Sequence, residues 1–432
     1  MNMALLHYRG GLMDGVSLEM DKWKKVLEKL GHNADIVAGN KKEGVDNYIE
    51  DIGFENKLYR IINKNAFEKL EDFTEDELVK AIELESDKLL KNFEKGLEKY
   101  DVIFPNNIWS LGAFLPTAIA LKRYADLHPE KLFIAHHHDF WWEREYFLNS
   151  TSKKIEKLLE YYCPPVGKNI KHMVINSIAK EELKKRKNVE ATVVPNVMDF
   201  EEKSFIIEGL NKKIREYYDI PKNSIIFLQA TRVTRRKAIE LAIDLIEVFN
   251  KKVKDKKGEI LYNGERFNGE ILLAFSGMCE DDVYFDELKK KAKELNVKIL
   301  DMYNAVEKGI WSFWDLYNIS DIITYPSILE GWGNQLLEAI VAKKPVVLFE
   351  YEIFLSDIKN SGLEYINLGN EYEMIDGFVT VNREILEKAA DELIEILFNK
   401  EKYYGIIERN FEVGKKYFSF NTLENIIRNL LK

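Results

Sequence analysis

The hydrophobic positions of the chain form short apolar runs that alternate with longer amphipathic stretches. Short runs rich in Ile, Val, Leu and Phe predict buried strands, and strands that alternate with helices predict βαβ units with parallel sheets. We therefore predict an α/β protein with two doubly wound, Rossmann-like domains. The predicted strands fall into two series: 3–8, 34–38, 101–105, 132–137, 172–176 and 191–195, followed by 224–230, 271–276, 297–301, 321–326 and 345–350.

Two stretches depart from this alternation. Residues 200–222 interrupt it, so the domain boundary is predicted there. Residues from about 41 to 100 are charged and helical in pattern, which predicts a helical insertion packed on the first sheet. Ligands of doubly wound sheets bind outside the carboxyl ends of the strands, and two such sheets suggest a cleft between the domains.

Length, charge and cysteine content narrow the class of protein. The chain has 432 residues, which fits two domains. Its net charge of −10, from 63 basic and 73 acidic residues, argues against a nucleic-acid partner but allows a local basic site for a phosphorylated ligand. The two cysteines, Cys163 and Cys279, favour a reducing, cytoplasmic setting.

Neither a membrane span nor a signal peptide is predicted. The apolar runs are shorter than the roughly 20 residues that a transmembrane helix needs, and the N-terminus becomes rich in glycine too early for a signal peptide. The basic run at 179–188 favours a solvated helix, while peripheral contact with an anionic membrane surface stays open.

The first candidate site is the glycine-rich turn in "HYRGGLMDGVS", residues 7–17. A strand runs into Gly10 and Gly11, and a helix is predicted near Ser17. Glycines let backbone N–H groups approach a ligand oxygen, and a helix N-terminus attracts anions. The spacing is not G-x-G-x-x-G, so a dinucleotide site is poorly supported, and a plain βα turn remains the alternative.

Three consecutive histidines end a predicted strand in "IAHHHDFWWERE", residues 134–145. Alternation along the strand places His136 and His138 on the same face. A third ligand at a suitable spacing is missing from the sequence, so no metal site is predicted. His138 and Asp139 follow the strand at the carboxyl edge of the sheet, where parallel sheets carry their chemistry. A polar loop without function is the alternative.

Four cations occupy the loop of "QATRVTRRKAIELAIDLI", residues 229–246. The loop follows a predicted strand and precedes a helix predicted to begin near Lys237. Fixed cationic side chains beside helix N–H donors predict an anion site, and a solvated basic loop is the alternative. The cations are Arg232, Arg235, Arg236 and Lys237.

Two glutamates enclose a glycine turn in "ILEGWGNQLLEA", residues 328–339. Glu330 lies on the loop, and Glu338 lies about one turn into a helix predicted to begin near Asn334. Carboxylates accept hydrogen bonds from hydroxyl groups, and burying them is costly without such partners or cations. The pattern therefore favours a ligand with many hydroxyl groups.

Together, these stretches resemble the retaining glycosyltransferases of the GT-B fold, family 4, over most of the chain and in the family's order. The family's E-x7-E signature corresponds to Glu330 and Glu338, and "ATRVTRRK" is similar to its arginine followed five positions later by lysine. "VVPNVMDF" resembles the segment at the domain junction. "VGKKYFSFNTLENIIRNLLK" resembles the closing helix that crosses back to the N-terminal domain.

The resemblance implies a domain organisation and a reaction. Residues 1–202 with 413–432 would form an acceptor-binding domain, and residues 203–412 a domain that holds a nucleotide-sugar donor, facing it across the cleft. A hexose would pass from a UDP- or GDP-sugar to a hydroxyl of a small molecule or glycan. The anomeric configuration would be retained, and neither a metal ion nor another cofactor would be needed.

The resemblance also implies roles for single residues. Arg232 and Lys237 would neutralise the leaving diphosphate, Glu338 would bind the ribose, and Glu330 and His138 would lie near the transferred sugar. The predicted catalytic residues are His138, Glu330, Arg232 and Lys237. The predicted donor-binding residues are Gly11, Arg232, Lys237, Met302, Tyr303, Ser327, Glu330, Trp332, Gly333, Asn334 and Glu338.

Two departures from the family pattern bear on the acceptor and the donor sugar. Lys344 replaces the usual glycine before the strand "PVV", and "FEYEIFLSDIKNSG" replaces a glycine-rich turn. This segment and "HHHDFWWERE" resemble a branch with sucrose-phosphate-synthase-like and mannosylglucosylglycerate-synthase-like members. That branch implies a small anionic acceptor, for which Arg9, Asp139 and Arg144 are the predicted contacts.

Other functions remain open at this stage. A GT-B nucleotide-sugar epimerase would need the same donor site but would act without an acceptor. A non-catalytic nucleotide-sugar-binding protein would need no catalytic residues. An oxidoreductase would need the full glycine fingerprint. A glycoside hydrolase would use two carboxylates but would have no use for the cationic loop at 232–237.

Overall fold

The computed structural model describes residues 1–12, 14–201 and 209–432, and these form two compact units. Unit 1 comprises Met1–Asn196 and Leu423–Lys432, and unit 2 comprises Val197–Thr422. The predicted domain limit between residues 202 and 203 falls outside the described residues, so the predicted limits stay a prediction.

Unit 1 contains a seven-stranded, wholly parallel sheet in the order β3-β2-β1-β4-β5-β6-β7. The central strand, β1, is buried from Met3 to His7, as expected for a parallel strand that is covered on both faces. The strands are β1 Asn2–His7, β2 Asn33–Ala38, β3 Asn47–Tyr48, β4 Val102–Pro105, β5 Leu132–His137, β6 Ile170–Val174 and β7 Ala191–Val193.

The helices of unit 1 cover this sheet. The helical insertion forms α2 and α3, and Thr74 and Glu77 make a capping box that fixes where α3 begins. Apolar side chains of α3, among them Leu78, Ile82 and Phe93, are fully buried in the core. The helices are α1 Gly15–Lys29, α2 Tyr59–Phe67, α3 Glu75–Gly96, α4 Ile108–Leu111, α5 Leu115–Leu127, α6 Glu145–Leu148, α7 Lys153–Tyr162 and α8 Ser177–Lys187.

Unit 2 contains a six-stranded parallel sheet in the order β10-β9-β8-β11-β12-β13 and a separate antiparallel hairpin, β14–β15. Strands β8 and β11 are neighbours, so the loops at their carboxyl ends lie side by side. The strands are β8 Ile225–Gln229, β9 Ile271–Phe275, β10 Lys298–Asp301, β11 Ile322–Tyr325, β12 Val346–Leu348, β13 Ile366–Asn367, β14 Glu373–Ile375 and β15 Phe378–Thr380.

The helices after residue 209 belong to unit 2, except that α17 begins there and ends in unit 1. A π-helical segment, Phe354–Ile358, follows β12. None of the helices in the described segments combines the length and the apolar surface that crossing a bilayer requires. The helices are α9 Leu210–Tyr217, α10 Glu240–Lys252, α11 Asp282–Glu294, α12 Tyr303–Glu307, α13 Phe313–Ile319, α14 Asn334–Val341, α15 Arg383–Leu397, α16 Lys400–Tyr417 and α17 Phe420–Leu430.

The last helix confirms that the C-terminus returns to the N-terminal unit. Within unit 1, Leu423 and Ile427 of α17 are fully buried. Lys29 pairs with Glu424 at 2.5 Å, and Lys171 Nζ donates to the carbonyl oxygen of Leu430 at 2.7 Å. The part of the helix from Leu423 onward is therefore an integral part of unit 1.

Two predicted helix starts differ from the structure. Helix α1 begins at Gly15 rather than near Ser17, because Asp14 accepts hydrogen bonds from the N–H groups of Val16 and Ser17. Helix α10 begins at Glu240 rather than near Lys237. A 3₁₀ turn at Arg235–Lys237 and the left-handed Ala238 come before it, so the cations lie ahead of the helix.

Lys344, which replaces a glycine of the family pattern, stabilises the C-terminal end of α13. Its ammonium group donates to the carbonyl oxygens of Ser320 at 2.7 Å and Asn318 at 3.3 Å. Cations are favourable at a helix C-terminus, where carbonyl groups lack partners. Burial lowers the pKa of Lys344 to about 8, although the nearby charge of Asp321 opposes the shift.

The lowered pKa of Lys344 predicts a dependence of stability on pH. Between pH 8 and 10.5 the unfolded chain binds the proton more strongly than the folded protein. The free energy of unfolding of the wild type should therefore rise relative to that of Lys344→Met, by about 2 kcal/mol over this range. Urea unfolding at several pH values measures this difference. A constant difference between the two proteins would contradict the assignment.

Candidate active site

The four cations after β8 do not act as one cluster. Arg232 pairs with Glu280, and the Arg232 side chain is half exposed. Arg235 turns away and pairs with Glu287 at 2.9 Å. Arg236 and Lys237 instead point to the neighbouring loop after β11, which the order of the strands places beside them.

Glu330 is the residue on which Arg236 and Lys237 converge. Lys237 pairs with one carboxylate oxygen, Oε1, and Arg236 lies 3.0 Å from the other, Oε2. The Glu330 side chain is 10% exposed and that of Lys237 is 8% exposed. Tyr325 also lies close to the carboxylate, and the buried Ser327 hydroxyl, on the same loop, has no hydrogen-bond partner among the described residues. Glu330 is thus a buried carboxylate that is bound by two cations.

Burial and charge act in opposite directions on this pair. Burial raises the pKa of Glu330, but Lys237 and Arg236 outweigh it and leave the pKa lowered. Burial also lowers the pKa of Lys237, and the carboxylate of Glu330 only partly compensates. The carboxylate therefore stays ionised near neutral pH and is suited to accept hydrogen bonds, not to transfer protons.

The glycine turn beside Glu330 depends on Gly333. Gly333 has φ of +142°, and a Cβ atom there would lie 2.1 Å from Tyr351 Oη. The Tyr351 hydroxyl donates to the carbonyl oxygen of Trp332 at 2.6 Å and so fixes the turn. Helix α14 then begins at Asn334, as the sequence predicts. Trp332 is buried and packs against Phe418.

The remaining predicted donor residues occupy two places in unit 2. Glu338, one turn into α14, accepts a hydrogen bond from Tyr317 Oη at 2.7 Å. Met302 and Tyr303 follow β10 at the carboxyl edge of the sheet. The Met302 side chain is fully buried, whereas Tyr303 is partly exposed and donates to Glu307 at 3.2 Å. Their roles toward a nucleotide stay predictions.

In unit 1, the glycine turn after β1 is held by two other loops. The N–H of Gly10 donates to the Asn40 side chain at 2.8 Å. Gly11 has φ of +66°, and a Cβ atom there would lie 2.1 Å from the carbonyl oxygen of Glu43. Only glycine fits this conformation and this close approach. Met13, which also belongs to the quoted motif, lies outside the described residues.

Three histidines meet at the carboxyl edge of the unit 1 sheet around Asn106. His7 Nδ1 donates to the Asn106 carbonyl oxygen at 2.7 Å, and His136 Nδ1 lies 3.2 Å from the Asn106 side-chain oxygen. The rings of His136 and His138 lie 4.1 Å apart, which confirms that they share a face. Burial lowers the pKa of His138 to about 3 and that of His7 to about 4. The group is therefore neutral.

His137 points the other way and belongs to a chain of hydrogen bonds. His172 donates to the carbonyl oxygen of Pro165, so its Nδ1 accepts from His137 Nε2 at 2.9 Å. His137 Nδ1 then accepts from Ser110 Oγ at 2.7 Å. This chain fixes the tautomers of both histidines and the position of the loop that carries His138.

The predicted acceptor residues of unit 1 are paired with one another or with neighbours. Arg144 donates from Nε and from Nη2 to Asp139 Oδ2. The other carboxylate oxygen of Asp139 accepts from Asn107 Nδ2 at 2.8 Å. Arg9 lies 3.4 Å from Asp14 and stacks over the ring of Phe54. Both arginine side chains remain substantially exposed.

The histidine-rich loop shows no sign of a metal centre. Within the described ranges, no group of three or more His, Cys, Asp or Glu side chains has an arrangement that would hold a metal ion. His136 and His138 face Asn106, whereas His137 faces His172.

Comparison with known proteins identifies the family. Residues 211–412 match the family model described as Glycosyl transferases group 1. Over 428 residues the chain is 50% identical to a mannosylglucosylglycerate synthase from Thermotoga maritima, a match that covers 99% of both chains. A second such synthase, from Petrotoga mobilis, is 38% identical over 426 residues, covering 97% of this chain and 98% of the relative. The chain belongs to the mannosylglucosylglycerate synthase family.

This membership confirms the predicted branch of GT-B glycosyltransferases, and solved structures confirm the fold. A glycosyltransferase from Rickettsia africae has a TM-score of 0.64 at 16% identity, covering 99% of this chain and 97% of that chain. HepE of Anabaena in complex with UDP and glucose has a TM-score of 0.59 at 13% identity, covering 99% of each. The chain shares with them the two-domain α/β architecture of the GT-B fold.

Sequence reasoning missed several residues that shape this member of the mannosylglucosylglycerate synthase family. Arg236 is predicted only as one of the four cations of an anion site, and the sequence pattern does not indicate Tyr325, Tyr351 or Tyr317. Their hydroxyl groups contact Glu330, the Trp332 carbonyl oxygen and Glu338. Tyr351 could have been found from the sequence, because it lies in "FEYEIFLSDIKNSG", the segment that departs from the family pattern.

The low pKa values in unit 1 predict histidines that do not titrate near neutral pH. Ring signals of His7 and His138 in NMR spectra should not shift between pH 8 and 5, with His138→Gln providing the assignment. Between pH 6.5 and pH 4 only the unfolded chain takes up these protons. The free energy of unfolding is therefore highest above pH 6.5 and decreases as the pH falls, by about 2 kcal/mol for each histidine at pH 5. A ring midpoint near 6.5 would contradict the neutral group.

Proposed function

We propose that the chain transfers a hexose from a nucleoside-diphosphate sugar to a hydroxyl of a small, glycerate-bearing acceptor, with retention of anomeric configuration. The donor would bind unit 2 and the acceptor unit 1. The convergence of Lys237 and Arg236 on the buried Glu330 is the observation that carries the proposal. It places cations and an ionised carboxylate side by side, as a ligand with both phosphate and hydroxyl groups requires.

The cations supply what the departing group needs. A nucleoside diphosphate leaves with developing negative charge on its phosphate oxygens, and stabilising that charge is the main electrostatic demand of the reaction. Lys237 lies in a buried position where its charge is little screened, and Arg232 is exposed on the same loop. We assign both to the diphosphate, with Arg232 leaving Glu280 when the donor binds.

The loop after β11 and helix α14 would hold the sugar and the ribose. Glu330 is ionised and surrounded by donors, which suits it to accept from sugar hydroxyls. Backbone N–H groups of Trp332, Gly333 and Asn334 lie at the start of an eight-residue helix. Glu338, positioned by Tyr317, would accept from the ribose hydroxyls.

The mechanism that fits these residues has no acid–base pair of glutamates. Attack of the acceptor hydroxyl on the face from which the diphosphate leaves would retain the configuration. The leaving phosphate would take the acceptor proton. We assign the nucleotide base to the surroundings of Met302 and Tyr303, the phosphates also to Gly11, and Ser327 and His138 to the transferred sugar. No metal ion or other cofactor is part of the proposal.

The family supports an anionic acceptor. The relatives are named mannosylglucosylglycerate synthases, and a product of that name carries a glycerate carboxylate. Arg9 and Arg144 offer exposed cations in unit 1, and Asp139 orients Arg144. We therefore propose that Arg144, with Arg9, binds the glycerate carboxylate and that Asp139 accepts from acceptor hydroxyls.

The donor assignment predicts a binding profile and a kinetic loss. In a thermal-shift panel of UDP-, GDP- and ADP-sugars, the nucleotide class that binds should raise Tm, and by more the tighter it binds. Arg232→Ala and Lys237→Ala should abolish this shift and lower kcat/KM about 10²-fold to 10³-fold, as the loss of a donor to a developing charge does.

Arg235→Ala is the matched control for this experiment, because Arg235 lies on the same turn but pairs with Glu287 and Asp281. It should behave as the wild type. Near-normal turnover in Arg232→Ala and Lys237→Ala would rule out the diphosphate assignment. Consumption of the nucleotide sugar without any acceptor would favour an epimerase instead.

The acceptor assignment predicts a preference for anions. The nucleotide sugar that binds in the thermal-shift panel serves as the donor. Products should form with glycerate or glucosylglycerate, as detected by mass spectrometry, but not with glycerol or glucosylglycerol, which lack the carboxylate. Arg144→Ala should raise KM for the acceptor about tenfold while KM for the donor is unchanged. Arg123→Ala is the control, because Arg123 also pairs with carboxylates, Glu83 and Asp87. An unchanged acceptor KM in Arg144→Ala would remove Arg144 from the site.

A further inference from the structure

Arg236 connects the cationic turn to the loop after β11 in three ways. Its carbonyl oxygen accepts from the N–H of Ile328 at 3.1 Å. Its guanidinium group donates to the carbonyl oxygen of Leu329 at 2.9 Å and to Glu330 Oε2 at 3.0 Å. These contacts set the direction of the guanidinium group and leave it about one-third exposed.

Glu330 is shared between two cations that bind different oxygens. Lys237 binds Oε1 and Arg236 binds Oε2. Either cation can therefore leave the carboxylate while the other stays bound. The two differ in what anchors them. Arg236 also bonds to the Leu329 backbone, whereas the ammonium group of Lys237 bonds to Glu330 and lies over the ring of Tyr325. Lys237 is therefore the cation that can turn toward a new anion.

Under the proposed function, Lys237 must bind a diphosphate oxygen, which draws its charge away from Glu330. A buried carboxylate that loses its partner charge is strongly destabilised. We propose that Arg236 is a positioning residue that keeps Glu330 ionised and in place while Lys237 is engaged by the donor diphosphate. Arg236 then makes donor binding possible without touching the donor.

The other groups around Glu330 cannot replace Arg236. Tyr325 and Ser327 carry no charge, the Ser327 hydroxyl has no hydrogen-bond partner among the described residues, and the Tyr351 hydroxyl donates to the Trp332 carbonyl oxygen. Of the other cations on this loop, Arg235 pairs with Glu287, and the proposed function assigns Arg232 to the diphosphate. Without Arg236, binding of a diphosphate would leave Glu330 with no cation. The carboxylate would then have to take up a proton.

Calorimetric titration with UDP, GDP and ADP tests this inference on the full chain, between pH 6 and 8. Arg236→Gln should weaken binding of the nucleotide that the wild type prefers by about tenfold to a hundredfold. Compared with the wild type, it should also shift binding toward higher affinity at lower pH, with additional uptake of protons beyond that from the terminal phosphate of the nucleotide, which titrates in both experiments. Arg236→Lys should restore most of the affinity, and Arg235→Gln should behave as the wild type.

The double variant Arg236→Gln/Glu330→Gln separates positioning from a structural role. Removing the carboxylate removes the stranded charge, so the double variant should bind the nucleotide more tightly than Arg236→Gln alone. A double variant as weak as the single one, or an Arg236→Gln protein that binds as the wild type without proton uptake, would overturn the inference and leave the proposed function intact. A wild-type protein that binds none of the three nucleotides would contradict the proposed function itself.

Discussion

One buried carboxylate, that of Glu330, holds together the loops that follow β8 and β11 in unit 2. Glu330 lies on the loop after β11, and its two oxygens bind cations from the loop after β8. An ionised group in such a position is stable only if every oxygen finds donors, so the loops must approach each other closely. Tyr351, from the segment after β12, then fixes the glycine turn beside it. Two loops that are distant in sequence thus share one electrostatic requirement, and a third segment holds the glycine turn beside them.

The candidate site residues of the two units stabilise buried polar groups in different ways. In unit 2, opposite charges are placed in direct contact. In unit 1, neutral histidines share Asn106 and are kept uncharged by burial. A charged environment suits phosphate oxygens, and a neutral environment with both donors and acceptors suits hydroxyl groups. This division of chemistry agrees with the assignment of the donor to one unit and the acceptor to the other.

Much of the fold could be predicted because the parallel strands are covered on both faces and therefore read as continuous apolar runs. The eleven predicted strands correspond to β1, β2 and β4–β12. The short strands β3 and β13–β15 were not predicted, because each buries at most one residue and lacks the continuous apolar run that marks the equally short β12. The motif residues could be named from the sequence, but not their partners. The ion pair of Arg236 with Glu330 depends on β8 lying beside β11, and the local pattern does not contain that strand order.

The return of α17 to unit 1 has a consequence for how the protein is made. Buried side chains of Leu423, Ile427 and Leu430 complete the core of a unit whose other residues end at Asn196. During translation, unit 1 must wait until more than two hundred further residues, which make up unit 2, have left the ribosome. Unit 2 has no such gap and can fold as one continuous segment. Although unit 1 is synthesised first, it is the second to be complete.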